Sequence, residues 1–382
     1  MQKNDKDLQI KKTNEPQKVA ILISFSGDGG VEKMVSNLAS GFLERGIQVD
    51  FVLIKSQGEH VNLIPSGAQV IKLGASSSLG SLPWLVKYLR RYRPAAVLAA
   101  KDRAGRVAVL ARKLSGVSTR IVLRLGMHLS ESLKGKNRLQ KALRYYPARW
   151  FYPMADAIVC VSRGVVEDLV QITGMSYSRF RVVPNPVVTP DLHRLASEPL
   201  PDSWFADSGI PRILAVGRLT RQKGFLTLLQ AFARIYQEKN CRLLILGEGP
   251  ERPGLEAEIE RLGLRDAVRM PGFAANPYSY MSRADLFVLS SIFEGSPNVL
   301  KEALALGTPV VATDCKSGPR DILQEGKYGP LVPIQSPDLL AGAMKQVLES
   351  PPDRSFLPDA VSGYTIEASS SAYLEVLGIA PG

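Results

Sequence analysis

KVAILISFSGDGGVEKMVSNLASGFLERG, Lys18 to Gly46, is an apolar run short enough for a buried strand, then a glycine loop, then apolar residues at helical spacing. Strand, glycine loop and helix make the opening unit of an α/β sheet. Strand-like runs follow at VDFVLIK, AAVLAA, RIVLRL and AIVCVS, and the intervals between them are long enough for crossover helices. That spacing favours a parallel sheet. The proline-rich VVPNPVVTPDLHRLASEPLP, Val182 to Pro201, shows no clear period and reads as a connector and hinge. The pattern then restarts with RILAVGRL, CRLLILGEG, AVRMPGF, DLFVLSS and TPVVATD, which predict a second α/β domain. A last helix is expected at IEASSSAYLEVLG.

These signals divide the chain into a disordered tail (1–16), a first domain (17–190), a linker (191–211), a second domain (212–355) and a C-terminal segment (356–382) crossing back to the first. A length of 382 residues suits about two domains with a cleft between them. The formal charge is +12, yet 45% of residues are hydrophobic, as in a folded protein with a basic face. The opening lacks the apolar core of a signal peptide, and no long apolar run is present, so a cytoplasmic location is expected. Cys160, Cys241 and Cys315 are far apart among apolar neighbours and read as packed, reduced thiols.

The chemistry concentrates in FEGSPNVLKEALALGTPVVAT, Phe293 to Thr313. Ser296 and Pro297 read as the N-cap and first residue of a helix of about ten residues that ends at Gly307. Glu294 then belongs to a loop and Glu302 to the helix, with free helix amides between them suited to an anion. Taken alone, the stretch equally describes a capping Glu294 and a solvated Glu302. Its context is VGRLTRQKGFLTLLQAF, where Arg218 and Lys223 follow a strand and precede a Gly-led helix, the edge at which open α/β sheets bind ligands. Two cations beside free amides suit a diphosphate.

GRLTRQKGF, LGEGPERPGLE, MPGF and the Glu-x7-Glu stretch, in this order and spacing, resemble the donor half of family 4 glycosyltransferases, the group 1 type with GT-B fold. The resemblance is specific over about 212–332 and extends more weakly over 17–190, through GGVEKMVSNLA and VCVSRGVVEDL. It implies two Rossmann-like domains whose parallel sheets face each other across a cleft, and a retaining transfer from a nucleotide-sugar, UDP-linked, with no metal ion. By the same resemblance, Arg218, Lys223, the amides of Val299 and Leu300, and Gly29 and Gly30 meet the donor diphosphate. Glu294 with Gly295, Ser296, Pro297 and Asn298 meets the transferred sugar, Glu302 the ribose, and Gly272 and Phe273 the base. His128, in LRLGMHLSE, matches the family's active-site histidine, although a histidine after a strand also fits an incidental loop residue. The acceptor implied is a glycan or lipid-linked glycan in cell-surface polysaccharide or lipopolysaccharide synthesis. A sugar-nucleotide epimerase on the same fold and a non-catalytic sugar-nucleotide-binding scaffold are the other readings.

Other patterns lead nowhere. GEGPER and SGDGGVE lack the complete dinucleotide fingerprint, and VDFVLIKSQ has no acid at its end for a ribose. The three histidines include no His-x3-His pair, so no zinc site is indicated. DKD, Asp5 to Asp7, mimics the acidic metal motif of the other large glycosyltransferase fold but lies in the tail.

From Pro83 to Arg149, seventeen Lys or Arg face only Asp102 and Glu131, more positive charge than the whole chain carries. PWLVKYLRRYRP and KGKNRLQKALRYYPARWFYP interleave these cations with Trp84, Tyr88, Tyr145, Tyr146, Trp150 and Phe151. The segments over 83–151 suit an anionic membrane surface, which would hold the protein peripherally at the inner face of the cell membrane. Solvated helix faces with aromatics turned to the core would read the same way. No nucleic-acid-binding module accompanies the charge, so nucleic acid is not an expected partner.

Overall fold

The computed structural model describes residues 17–26, 30–57, 59–200, 202–206 and 209–380. The tail over 1–16 and Gly29 lie outside these residues.

The first domain holds β1 (Lys18–Ser26), β2 (Gln48–Gln57), β3 (Gln69–Lys72), β4 (Ala96–Ala99), β5 (Arg120–Leu125), β6 (Ala157–Cys160) and β7 (Phe180–Val182). They pair in parallel in the order β3-β2-β1-β4-β5-β6-β7. The second holds β8 (Arg212–Val216), β9 (Arg242–Leu246), β10 (Val268–Gly272), β11 (Leu286–Leu289), β12 (Val310–Thr313) and β13 (Leu331–Val332), in the order β10-β9-β8-β11-β12-β13. Each sheet starts at its centre, winds to one edge and then to the other. The winding reverses between β1 and β4 and between β8 and β11, which opens a crevice beyond the strand ends. The central strands are apolar along their whole length because helices cover both faces, as Val19 to Ile23 show by full burial. This is the GT-B architecture, two Rossmann-like domains facing across a cleft.

Three strands escaped the sequence reading: β3, β7 and β13 are two to four residues long, and β3 is largely exposed, so none carries a full apolar run. The proline-rich stretch read as a connector contains a helix, Pro190–Ser197. Pro190 opens it, and Leu192 and Ala196, one turn apart, enter the second domain's core.

The C-terminal helix Ile366–Leu377 packs on the first domain. Tyr373, Leu374 and Leu377 join the cluster formed by Val19, Ile21, Phe42 and Phe51. Helix Gly30–Leu43 lies directly beneath it, and a Cβ at Gly41 would stand 2.0 Å from Ser370 Oγ and 2.6 Å from Ile366 Cγ2. Gly41→Val should therefore push the last helix outward and lower stability by about 2 kcal/mol, read as an earlier urea midpoint. An unchanged midpoint would show that this seam is loosely packed.

Candidate functional site

The ends of β8 and β11, on either side of the second switch point, carry the cation and carboxylate singled out in the sequence. Lys223 Nζ donates to Glu294 Oε1 at 2.6 Å, and Ser291 Oγ donates to the same oxygen at 2.7 Å. Glu294 is only 6% exposed, so these two donors satisfy a carboxylate that water hardly reaches. The segments are also joined through backbone. Ile292 N–H donates to Gln222 O at 2.7 Å, Gln222 Nε2 to Phe293 O at 3.0 Å, and Ser290 Oγ to Lys223 O at 2.8 Å. Gly224, at φ +63°, permits this approach, since a Cβ there would fall 2.1 Å from Ser290 O. Arg218, on the same segment, is exposed and makes no side-chain bond among the described residues.

The helix after the turn runs Asn298–Ala305, with Pro297 at its cap. It starts later and is shorter than the sequence suggested, and Ser296 is not the cap because its hydroxyl is engaged by Lys301. Pro297 offers no side-chain acceptor, so the amides of Val299 and Leu300 in the first turn have no cap. Glu302 is 8% exposed and accepts from Tyr278 Oη at 2.8 Å, with Lys33 Nζ at 3.6 Å. The solvated-helix alternative for Glu302 is thereby excluded, as is the capping role for Glu294. Lys33 also lies 4.2 Å from the centre of the Tyr278 ring.

The first domain presses against this turn. A Cβ at Gly295 would fall 2.0 Å from Gly126 O, two residues before His128, so only glycine permits the contact. Asn185 Nδ2 donates to Asn298 Oδ1 at 3.0 Å, and Asn298 Nδ2 reaches Gly30 O at 3.5 Å. His128 is buried at the end of the segment after β5. Its Nδ1 lies 3.3 Å from Asp168 Oδ1 and 3.3 Å from Ser130 Oγ. A proton on Nδ1 facing Asp168 leaves Nε2 as the acceptor. Burial pushes the imidazole pKa below its usual value, against the pull of Asp168 and Glu131. Glu131, also buried, would be pushed up by burial, but Lys134 and Lys316 outweigh this and hold its carboxyl low. Lys316 belongs to the second domain, so this 3.6 Å pair also crosses the cleft.

Gly272 ends β10 at φ +102°, with its carbonyl accepting from Gly247 N–H at 2.8 Å, and Phe273 beside it is largely exposed. Gly272 closes the edge strand, two strands from β8, and Phe273 follows it. At the other switch point the sequence reading named Gly29 and Gly30 but missed Lys101 after β4, which donates to buried Glu32 Oε1 at 2.7 Å. It missed Tyr278, Asp168, Asn185 and Lys301 as well. Position after a strand end was the available signal for Lys101, whereas Asn185 sits in the stretch dismissed as a connector.

Beside the turn, between the domains, opens a cavity of about 530 Å³ lined in part by Ser162, Arg163, Ser296, Arg320 and Tyr364. Among the described residues no three His, Cys, Asp or Glu side chains converge as metal ligands do.

Residues 28–190 match Glycosyltransferase Family 4, and residues 197–358 match Glycosyl transferases group 1. The chain is 31% identical over 344 residues to N-acetylgalactosamine-N,N'-diacetylbacillosaminyl-diphospho-undecaprenol 4-alpha-N-acetylgalactosaminyltransferase of Campylobacter jejuni, covering 87% of this chain and 90% of the relative. It is 28% identical to the lipopolysaccharide core biosynthesis glycosyltransferase LpsE of Rhizobium meliloti, over 94% of this chain and 98% of the relative. Among solved structures, Anabaena HepE in complex with UDP and glucose superposes with a TM-score of 0.77 at 20% identity, covering 95% of this chain and 99% of the other. With both halves matched and a relative of this identity aligned over nearly its whole length, the chain belongs to the glycosyltransferases of GT-B fold.

Proposed function

We propose that the protein is a retaining glycosyltransferase that moves a sugar from a UDP-sugar to a glycan or lipid-linked glycan of a cell-surface polysaccharide or lipopolysaccharide. The observation that carries the reading is the Lys223–Glu294 pair at the switch point, next to uncapped helix amides and the exposed Arg218. Arg218, Lys223 and the amides of Val299 and Leu300 stabilise the departing diphosphate, with charge already in place before the bond breaks. Gly30, in contact with Asn298, closes on the same group. Glu294 holds the transferred sugar. Its Oε1 is occupied by Lys223 and Ser291, which suits a positioning carboxylate better than a free nucleophile. Glu302 and Tyr278 take the ribose, Gly272 and Phe273 the base, and His128 Nε2 a hydroxyl of the sugar or acceptor. The cavity beside Ser296 gives the acceptor room. The names of the Campylobacter and Rhizobium relatives support an acceptor of this kind, and the UDP and glucose bound by Anabaena HepE support the donor.

The same reading places the first domain against anionic lipid. Helix Arg138–Phe151 contains Arg138, Lys141, Arg144 and Arg149 and no acid. It exposes Leu139 (69%), Leu143 (65%), Tyr146 (61%) and Trp150 (74%), which share one face at spacings of four, three and four. Exposed apolar side chains flanked by cations are what a lipid interface rewards. Trp84 is exposed too, whereas Tyr88 is buried and bonds Asp50 at 2.8 Å, so the earlier aromatic segment contributes less. No helix among the described residues is long and apolar enough to cross a membrane.

A panel of UDP-sugars should contain one that raises the thermal midpoint well above the others, and with acceptor that donor should be consumed. Isomerised donor in the absence of acceptor would favour an epimerase instead. Lys223→Ala should weaken binding of that donor about tenfold or more. Because it leaves Glu294 buried without its cation, it should also cost about 1–3 kcal/mol of stability. Unchanged donor affinity would remove Lys223 from the site. Leu143→Ser combined with Trp150→Ser should reduce partitioning onto anionic vesicles about tenfold or more while leaving the thermal midpoint unchanged. Equal partitioning would reject the helix as the lipid face.

A further inference from the structure

Behind the Gly295–Asn298 turn lie two buried cations, neither bonded to a carboxylate among the described residues. Lys301 is fully buried, its Nζ donates to Ser296 Oγ at 2.9 Å and it stands 4.6 Å from the centre of the Tyr364 ring. Arg124, 5% exposed, donates through Nη2 to Asn185 Oδ1 at 3.0 Å, while its Nε has no partner among the described residues. Asn185 in turn donates to Asn298. Ser296 is therefore tied to Lys301 directly and Asn298 to Arg124 through Asn185, one cation from each domain.

An ammonium only donates, so Ser296, accepting from Lys301, keeps its own proton to donate elsewhere. Asn298, accepting from Asn185 on Oδ1, likewise keeps its amide N–H groups as donors, with only the marginal 3.5 Å contact to Gly30 O engaging them. The arrangement is costly. An apolar side chain would fill the Lys301 site without removing a charge from water, so the ammonium needs an energetic counterpart. Its surroundings supply little: burial lowers the Lys301 pKa to about 7, Arg124 from β5 adds to the fall, and Glu302 on its own helix and Glu294 from the loop only partly oppose it. A ligand whose oxygens accept from Ser296 and Asn298 on the turn would supply that counterpart.

We propose that Lys301 and Arg124 are positioning residues of the donor turn, acting through Ser296 and Asn298 to aim hydrogen-bond donors at the oxygens of the transferred sugar. The inference rests on the UDP-sugar reading above and explains how the turn would tell a nucleotide-sugar from the bare nucleotide. UDP would be held chiefly by Arg218, Lys223, Glu302 and the edge of β10, whereas the sugar end would depend on this pair of buried cations.

Calorimetric titration with UDP and with the UDP-sugar selected by the panel tests this through the ratio of the two affinities. Lys301→Met should lower UDP-sugar affinity about tenfold while UDP affinity stays nearly constant. Ser296→Ala, a substitution in the turn that leaves the buried lysine site filled, should shift the ratio in the same direction and serves if Lys301→Met does not fold. In the unsubstituted protein the preference for UDP-sugar should decline as pH rises from about 6 to about 9, because the ammonium loses its proton, and Lys301→Arg, which keeps the charge, should flatten that limb. An affinity ratio unchanged in Ser296→Ala, or a preference indifferent to pH in the unsubstituted protein, would overturn the role of Lys301. If no nucleotide-sugar binds the unsubstituted protein, the donor reading itself fails, and this inference with it.

Discussion

The ion pair between Lys223 and Glu294 is the constraint on which the candidate site depends. It spans two strands that are adjacent in space but some seventy residues apart in sequence, at the point where the winding of the second sheet reverses. Buried pairs of this kind often add little net stability, because desolvation offsets the attraction, but they hold a geometry that apolar packing would not. Here the geometry is the direction in which the chain leaves β11. With Glu294 fixed by two donors and the preceding loop joined to Gln222 and Lys223, the Gly295 turn can start in only one place. The helix amides after it follow from that. The first domain repeats the device with Glu32 and Lys101 at its own switch point, so each wall of the cleft is pinned where its sheet divides.

Among the described residues, several contacts across the cleft run through polar groups and glycine. Gly295 meets Gly126, Asn298 meets Asn185 and Gly30, Lys33 meets Glu302, and Lys316 meets Glu131. A seam of short polar contacts separates at lower cost than an apolar one, which suits two domains that must admit and release ligands. The more durable connection lies elsewhere. The last helix buries Tyr373, Leu374 and Leu377 in the first domain, while Leu357 and Val361, only a few residues earlier, are buried in the second. The chain therefore returns through Tyr364, whose carbonyl accepts from Val187 and Val188 of the earlier crossing. The two crossings run bonded side by side, and Lys301 under the Tyr364 ring links them to the turn.

The architecture was legible in the sequence because central parallel strands are buried on both faces and so read as uninterrupted apolar runs. Ten of the thirteen described strands announce themselves in this way. The three that do not are short edge or near-edge strands, where tertiary pairing rather than local pattern decides. Helix Pro190–Ser197 was hidden by its prolines, since Pro190 signals a break and a helix start alike. At the candidate site, Arg218, Lys223 and Glu294 were legible because they follow strand ends, and Glu302 because it completes the Glu-x7-Glu spacing from within a helix. Asn185, Asp168 and Lys301 were not, because a polar residue buried by tertiary contacts leaves no periodic trace. Lys301 in particular sits within a run of helix formers, where a lysine ordinarily points to water.

Charge and aromatic content in the first domain could not by themselves separate exposed aromatics from core packing, and the fold sorts them residue by residue into buried and exposed. Tyr88 belongs to the core because Asp50 waits for its hydroxyl, and Tyr152 because Asp102 does the same. Leu139, Leu143, Tyr146 and Trp150 have no such destination. Their spacing places them on one face, while Ala148 on the opposite face packs into the core and Arg149 on the flank donates to Ile172 O. A helix that buries its small residue and exposes its large ones is inverted relative to the rule for a domain surface, and the lipid surface proposed above would remove the inversion.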